Sequence, residues 1–233
     1  MNNRIAAGSW SGGKDSCLAV YKALQMGYDI QYLVSFISKE HKRGCFHGIE
    51  HTLLQKQAES IGIPLFLKEV TADMKQYEIE FKEAVRSLKT QGINAMVFGD
   101  IYLNEQKNWV ERVCGDLRIE MVEPLWHKPA EDIVREFIDL GFKTVVVSCQ
   151  ANLFGKEFIG RLVDTELLEE LKNKKICPCG ENGEFHTFVA DGPIFKNKIE
   201  LVETETIRKK GFWEYWQLDI KKYEVVPKAV QII

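Results

Sequence analysis

Short apolar runs alternate with amphipathic stretches through the first half of the chain. Residues 4–8 form one such run and end in a glycine-rich turn. From Asp15 to about Met26, Cys17, Leu18, Val20, Tyr21 and Leu24 recur at helical spacing, and Gly27 is a natural stop. Residues 30–37 predict a buried strand, 51–61 an amphipathic helix ending at Gly62, and 64–68 a third strand. A helix over 77–89 closed by Gly92, a strand over 95–98, a helix over 109–117 and a strand over 119–122 complete the series. Repeated strand–helix units of this length predict a doubly wound α/β domain with five parallel strands.

Pro124 marks a change of rhythm. A helix over 130–140, an apolar strand over 144–149 and a helix over 156–171 follow. A dense polar segment, Cys177 to Thr187, leads into strand-like stretches that run to the end. The chain therefore divides into a nucleotide-type domain at 1–124 and a smaller α+β domain at 125–233. No internal repeat and no low-complexity segment interrupts either part.

In a doubly wound sheet, ligands collect at the carboxyl ends of the strands. Those ends carry Ser9 to Ser16, Ser35 to Ser38, and Gly99-Asp100. The first is Ser11-Gly12-Gly13-Lys14-Asp15-Ser16, a turn between a strand and a helix. Gly12 and Gly13 let the backbone take positive φ and approach phosphate oxygens with no Cβ in the way. The free N–H groups and the dipole of the following helix favour an anion there. Lys14 adds a point charge, and Ser11 and Ser16 offer hydroxyl donors. Asp15, in the first helical turn, is placed to cap the helix or to help hold a magnesium ion. The spacing fits neither the Walker A loop nor the Gly-x-Gly-x-x-Gly of dinucleotide folds. Ser35 and Gly99 join this loop as expected nucleotide contacts.

The second dense cluster is Gly180-Glu-Asn-Gly-Glu-Phe-His-Thr187. One reading makes it a hairpin turn, with Asn182-Gly183 supplying positive φ. The other makes Glu181 and Glu184 a binding surface for an ammonium ion, a cationic substrate or magnesium.

Composition narrows the field. Hydrophobic residues make up 45% and charged residues 28%, with a formal charge of -3, so nothing global favours nucleic acid. No stretch approaches the ~20 apolar residues needed to span a bilayer, and the amino terminus reads as free of a signal peptide. A cytoplasmic protein without a membrane partner is expected. Most of the six cysteines sit singly in apolar or helical segments, as reduced core cysteines do. Cys177-Pro-Cys179 is a lone C-x-C, a weak zinc or sulfur-carrier signal without a second pair. His41, His47 and His51 cluster in a polar stretch after the second strand, a solvated loop or a substrate lid. Trp10 either packs in the core or flanks a base.

The Ser11–Ser16 loop resembles that of the N-type ATP pyrophosphatases, whose fold is of the adenine-nucleotide α-hydrolase (PP-loop) kind. That resemblance implies ATP as cofactor, with Mg2+, and cleavage between its α and β phosphates. The Gly180–Thr187 motif and Asp191-Gly-Pro-Ile-Phe-Lys196 resemble the diphthine–ammonia ligase family. Gly99-Asp100, Pro124-Leu-Trp126 and Gly160-Arg161 carry the same likeness. It implies a ligase that adenylates a carboxylate, diphthine on elongation factor 2, and releases AMP and pyrophosphate, with ammonium as nitrogen donor. Lys14, Asp15, Asp100, Glu181 and Glu184 would be catalytic. Ser11 to Ser16, Ser35 and Gly99 would bind ATP, and Asn182, Glu184, His186 and Thr187 would hold the substrate.

Two departures bear on the acceptor. Ile101-Tyr102-Leu103-Asn104-Glu105 stands where the family commonly has tyrosine-glutamine-arginine after the aspartate, although Arg112 follows one helix face on. Asn182 and His186 replace a common glycine and glutamate. Both changes resemble a bacterial branch of the family, where diphthamide is not made, so the acceptor could be an analogous carboxylate. Two alternatives stand beside the ligase: an RNA-modifying ATP pyrophosphatase, and an ATP-sensing module without chemistry. Oligomeric state is not legible, and a homo-oligomer stays open.

Overall fold

The computed structural model describes residues 4–44, 48–71, 73–210 and 214–228. Among them the chain forms nine strands and six α-helices. The first half contains β1 (Ile5–Ser9), α1 (Lys14–Gln25), β2 (Asp29–Ser38), α2 (His51–Ile61) and β3 (Leu65–Val70). It continues with α3 (Met74–Lys89), β4 (Ala95–Val97), α4 (Asn104–Leu117) and β5 (Glu120–Val122). The five strands are all parallel in the order β3-β2-β1-β4-β5, so the order reverses between β1 and β4. That gap is the switch point where this class of sheet binds ligands.

Burial on both faces explains why these strands read as continuous apolar runs. On one face Ala7, Val34, Phe36 and Met96 pack against Phe81, Leu88, Val110 and Val113 of α3 and α4. Phe81 stacks on Phe36 with ring centroids 5.0 Å apart and meets Trp109 edge-on at 5.0 Å. Burying each such aromatic contributes roughly 1.5–3 kcal/mol. On the other face Val20 of α1 lies against Gly8 and Leu33.

Two helices begin earlier than their apolar spacing predicts. Asp73 caps α3 by accepting from the Gln76 amide at 2.8 Å, so the helix starts at Met74, three residues before the expected start. The Asn104-to-Asn108 turn of α4 is polar and mostly exposed, so it carries no periodic signal.

The second half contains α5 (Ala130–Asp139), β6 (Lys143–Gln150), α6 (Thr165–Asn173), β7 (Phe185–Asp191), β8 (Asn197–Lys210) and β9 (Glu214–Pro227). Its four strands form an antiparallel sheet in the order β7-β6-β9-β8. The helix expected over 156–171 is a correction. Lys156–Phe158 makes one 3-10 turn, Gly160 takes φ +81°, and Leu162 bridges Val145. The helix restarts at Thr165 because Asp164 caps it, accepting from the Leu167 amide at 2.9 Å.

By packing the chain splits into two compact units. The first comprises Met1–Ser11, Asp15–Gln55 and Ile63–Lys128; the second comprises Gly12–Lys14, Lys56–Gly62 and Pro129–Ile233. The two glycines and the lysine of the Ser11–Ser16 loop thus pack with the second unit, and its flanking residues with the first. Among the described residues no helix is long and apolar enough to cross a membrane.

Candidate functional site

In the first unit, β1 delivers the chain to Ser11, whose hydroxyl lies 3.1 Å from that of Ser16. Ser35, buried within β2 three residues before its end, donates to the Trp10 carbonyl at 2.6 Å. Its hydroxyl therefore fixes the backbone just before the loop. Trp10 itself is buried, so it packs in the core. Gly99 explains its own identity. A Cβ there would stand 2.8 Å from the Asp15 carbonyl carbon and 2.9 Å from the Ser16 nitrogen. Only glycine lets the end of β4 approach the first turn of α1 so closely.

In the second unit, Gly12 to Lys14 is clamped onto β7. Gly12 adopts φ +82°, while Gly13 is not in the left-handed region. The Gly12 carbonyl accepts from the Val189 amide at 3.0 Å and from Gln57 Nε2 at 3.0 Å. Gln57 is wholly buried and donates as well to the Val189 carbonyl at 2.6 Å, tying α2 to the same point. The Lys14 amide donates to Thr187 Oγ1 at 3.1 Å, and both residues are buried. The Lys14 ammonium donates to the Cys179 carbonyl and lies 5.3 Å from the centre of the Phe185 ring. Alternation along β7 puts Phe185, Thr187 and Val189 on one face. All three meet the Gly12–Lys14 segment.

The Gly180–Thr187 motif is a turn followed by a strand. Of its two readings the hairpin does not form, because the neighbour of β7 is β6, not a strand just upstream. Gly183 takes φ +79° and Asn182 does not take a positive φ. The turn is pinned by Gln150, whose amide donates to the Glu184 carbonyl at 2.9 Å and whose Nε2 donates to the Gly183 carbonyl at 3.0 Å. The Glu184 carboxylate accepts from the Asn182 amide and from its Nδ2, each at 3.0 Å. Asn182 is exposed, while Glu181, Glu184 and His186 are half-buried. His186 stands opposite Ser148, and Thr187 opposite Val146.

A further charged group in the first unit has two members the sequence pattern singled out, Asp15 and Asp100. Burial raises the Asp100 carboxyl to about 6, helped by the charges of Glu123 and Asp15 and opposed by Lys107. Glu123 follows β5 with its side chain 4% exposed. Lys107 donates to its Oε2, and Oε1 is buried with no hydrogen-bond partner among the described residues. The Lys107 ammonium also lies 5.0 Å from the centre of the Trp126 ring. Glu123, Lys107 and Gln57 were not foreseen as site residues. Glu123 ends a strand as Asp100 does, and Gln57 interrupts the buried helical series Leu53, Leu54, Ala58, Ile61, so both left a trace in the pattern.

The remaining candidates fall elsewhere. Arg112 is held by Glu78 through two bonds of 2.6 and 2.5 Å. Cys179 is buried, with its Sγ directed at the Ala130 carbonyl at 3.4 Å. His41 is exposed and His51 Nδ1 lies 3.0 Å from the Lys42 carbonyl; Cys45 and His47 lie outside the described residues. Among the described residues no group of three or more His, Cys, Asp and Glu side chains is arranged to hold a metal ion.

Comparison with known proteins completes the description. The model of the diphthamide synthase N-terminal domain matches residues 4–121, and that of the C-terminal domain matches residues 129–226. The chain is 27% identical to the zebrafish (Danio rerio) diphthine–ammonia ligase over 219 residues, 84% of this chain and 86% of the relative. It is also 27% identical to the human (Homo sapiens) diphthine–ammonia ligase, over 84% of this chain and 82% of the relative. A predicted subunit of tRNA methyltransferase from Methanocaldococcus jannaschii aligns over 81% of this chain and 97% of that one, with a TM-score of 0.44 and 15% identity.

Proposed function

Because the chain belongs to the diphthamide synthase family, we propose that this ATP-dependent ligase adenylates a carboxylate and converts it to an amide with ammonium. The acceptor is diphthine on elongation factor 2 or an analogous carboxylate. The observation that carries this reading is the bond from the Lys14 amide to Thr187 Oγ1. It joins the glycine–lysine core of a phosphate loop to the last residue of a motif rich in carboxylates, inside one compact unit.

The chemistry follows from what each group offers. An acceptor carboxylate oxygen attacks the α-phosphorus of ATP, the bond to the β-phosphate oxygen breaks, and pyrophosphate leaves. Ammonium gives up a proton to solvent. The resulting ammonia attacks the acyl carbon and sheds a second proton, and AMP leaves with the electron pair of the C–O bond. Charge builds on the pyrophosphate, so fixed donors there lower the barrier. Ser11, Ser16 and the backbone of Gly12 and Gly13 are those donors, with Gly12 at φ +82° shaping the turn, while the Lys14 amide is committed to Thr187 Oγ1. Lys14 supplies the positive charge, its ammonium anchored at the Cys179 carbonyl. Ser35 and Gly99 act on shape: one fixes the Trp10 carbonyl, the other admits the α1 backbone.

Asp15 fits Mg2+, an ion ordinarily held by one or two carboxylates plus substrate phosphates and not by a closed cage. When bound with ATP it would neutralise phosphate charge. Residues 1–124 serve ATP, and residues 125–233 serve the acceptor through Glu181, Asn182, Glu184, His186 and Thr187. A cytoplasmic location goes with this reading.

The test is incubation with ATP, ammonium chloride and diphthine-bearing elongation factor 2, with AMP release and amide formation followed together. AMP that depends on both ammonium and the acceptor is expected. No AMP with this or any other carboxylate acceptor would overturn the ligase reading.

A further inference from the structure

The charges of Asp15, Glu123 and Lys107 all act on the Asp100 carboxyl. Asp15 and Glu123 disfavour the carboxylate form and Lys107 favours it. Lys107 does not balance the group, because it is shared between Glu123 and Glu111, the latter at 3.4 Å. Asp100 and Glu123 sit just beyond β4 and β5, adjacent strands on one side of the switch point.

Independently of that charge, Glu123 Oε1 is buried with no hydrogen-bond partner among the described residues. Leaving a buried carboxylate oxygen unsatisfied is costly, so this oxygen is open to a hydrogen-bond donor. The surplus of negative charge around it favours a donor that carries positive charge.

We infer that Glu123 and Asp100 form the seat for the ammonium ion, resting on the reading above in which ammonium is the nitrogen donor. Ammonium suits the place better than a divalent metal. It presents four N–H donors and a single charge, and it sits beside the Lys107 ammonium with half the repulsion a dication would meet. The three carboxylates lack the arrangement of a metal cluster. The Trp126 ring, already under the Lys107 ammonium, is a face that favours cations. The Glu123 side chain is 4% exposed, so an ion held against it keeps little of its water. In this assignment the Glu181–Glu184 turn is left to the acceptor, consistent with the Glu184 carboxylate already bonded to Asn182.

The experiment needs no acceptor. The full chain is titrated with ammonium chloride against sodium chloride and magnesium chloride at matched ionic strength, with unfolding midpoint and tryptophan fluorescence recorded. The wild type should respond saturably to ammonium and not to sodium. Glu123→Gln, which keeps the shape and an oxygen for Lys107, should weaken that response at least tenfold, as should Asp100→Asn. Circular dichroism checks that both variants are folded. Unchanged ammonium affinity in folded Glu123→Gln would overturn the seat, as would a saturable response confined to magnesium. The two readings separate cleanly in the turnover assay. AMP formation with an unaltered ammonium KM in Glu123→Gln sinks the seat and leaves the ligase. Glu123-dependent ammonium binding without AMP for any acceptor does the reverse.

Discussion

The two sheets of this chain solve opposite problems. The parallel sheet ends on one side in two short strands, β4 and β5, of three residues each, and Ala95, Met96 and Val97 are all buried. The antiparallel sheet carries a ribbon of two 14-residue strands, β8 and β9, most of whose residues are exposed or half-buried. Only Ser148 to Gln150 of β6 pairs with β9, so much of the ribbon has no third strand. A strand buried on both faces fixes whatever stands at its end. A ribbon open to water fixes little. The proposed chemistry is accordingly placed at the ends of β1 and β4 and on buried β7, not on the ribbon.

Substitutions can break that contrast. The largest effect is expected from Gly99→Ala, whose Cβ would meet backbone atoms 2.8–3.0 Å away that cannot rotate aside. Overpacking of this kind costs about 1–3 kcal/mol, which lowers the unfolding midpoint by roughly 2–12 °C for a chain of this length. Thermal denaturation followed by circular dichroism measures it. An unchanged midpoint would mean that β4 does not hold α1 as described.

Next comes Thr187→Val, which keeps the shape and removes the acceptor of the Lys14 amide. A buried donor left without a partner costs about 1–3 kcal/mol. AMP release should fall with stability, and Thr187→Ser should restore most of both. Equal activity in the valine variant would detach the motif from the loop.

A smaller effect belongs to acid. Hydrogen bonds from Arg112 and Lys82 hold the Glu78 carboxyl down to about 2 from 4.5. The folded value lies below the unfolded one, so the stabilisation is present above pH ~4.5 and is lost as pH falls toward 2. Solvent screening of a partly exposed group limits it to about 1–2 kcal/mol. In denaturant titrations the stability gap between Glu78→Gln and wild type should narrow markedly from pH 7 to pH 3. A gap of unchanged size at pH 3 would argue against it. The smallest change is expected on the ribbon: Val202, half-exposed on β8, should tolerate threonine within about 0.5 kcal/mol.

The same contrast decides how much was legible beforehand. The parallel strands and their helices announce themselves because burial repeats at a fixed period, and Ser11 to Ser16 stands where a strand gives way to a helix. The helix expected over 156–171 failed since Gly160 and Asp164 break it while apolar residues continue at helical spacing on either side. Glu123 and Lys107 escaped notice because one sits beside a proline at a strand end and the other in a polar helical turn. Their pairing is a long-range contact, which no local pattern records. Thr187 was picked out for its motif, but its bond to the Lys14 amide spans 173 positions of sequence.

The central claim is cleavage of ATP between its α and β phosphates by the Ser11–Ser16 loop. Turnover of ATP labelled at the α-phosphate, with ammonium and an acceptor present, tests it most directly. Label recovered in AMP, with an equal amount of pyrophosphate and loss of both in Lys14→Ala, is the predicted result. Label recovered in ADP, with inorganic phosphate released instead, would contradict it.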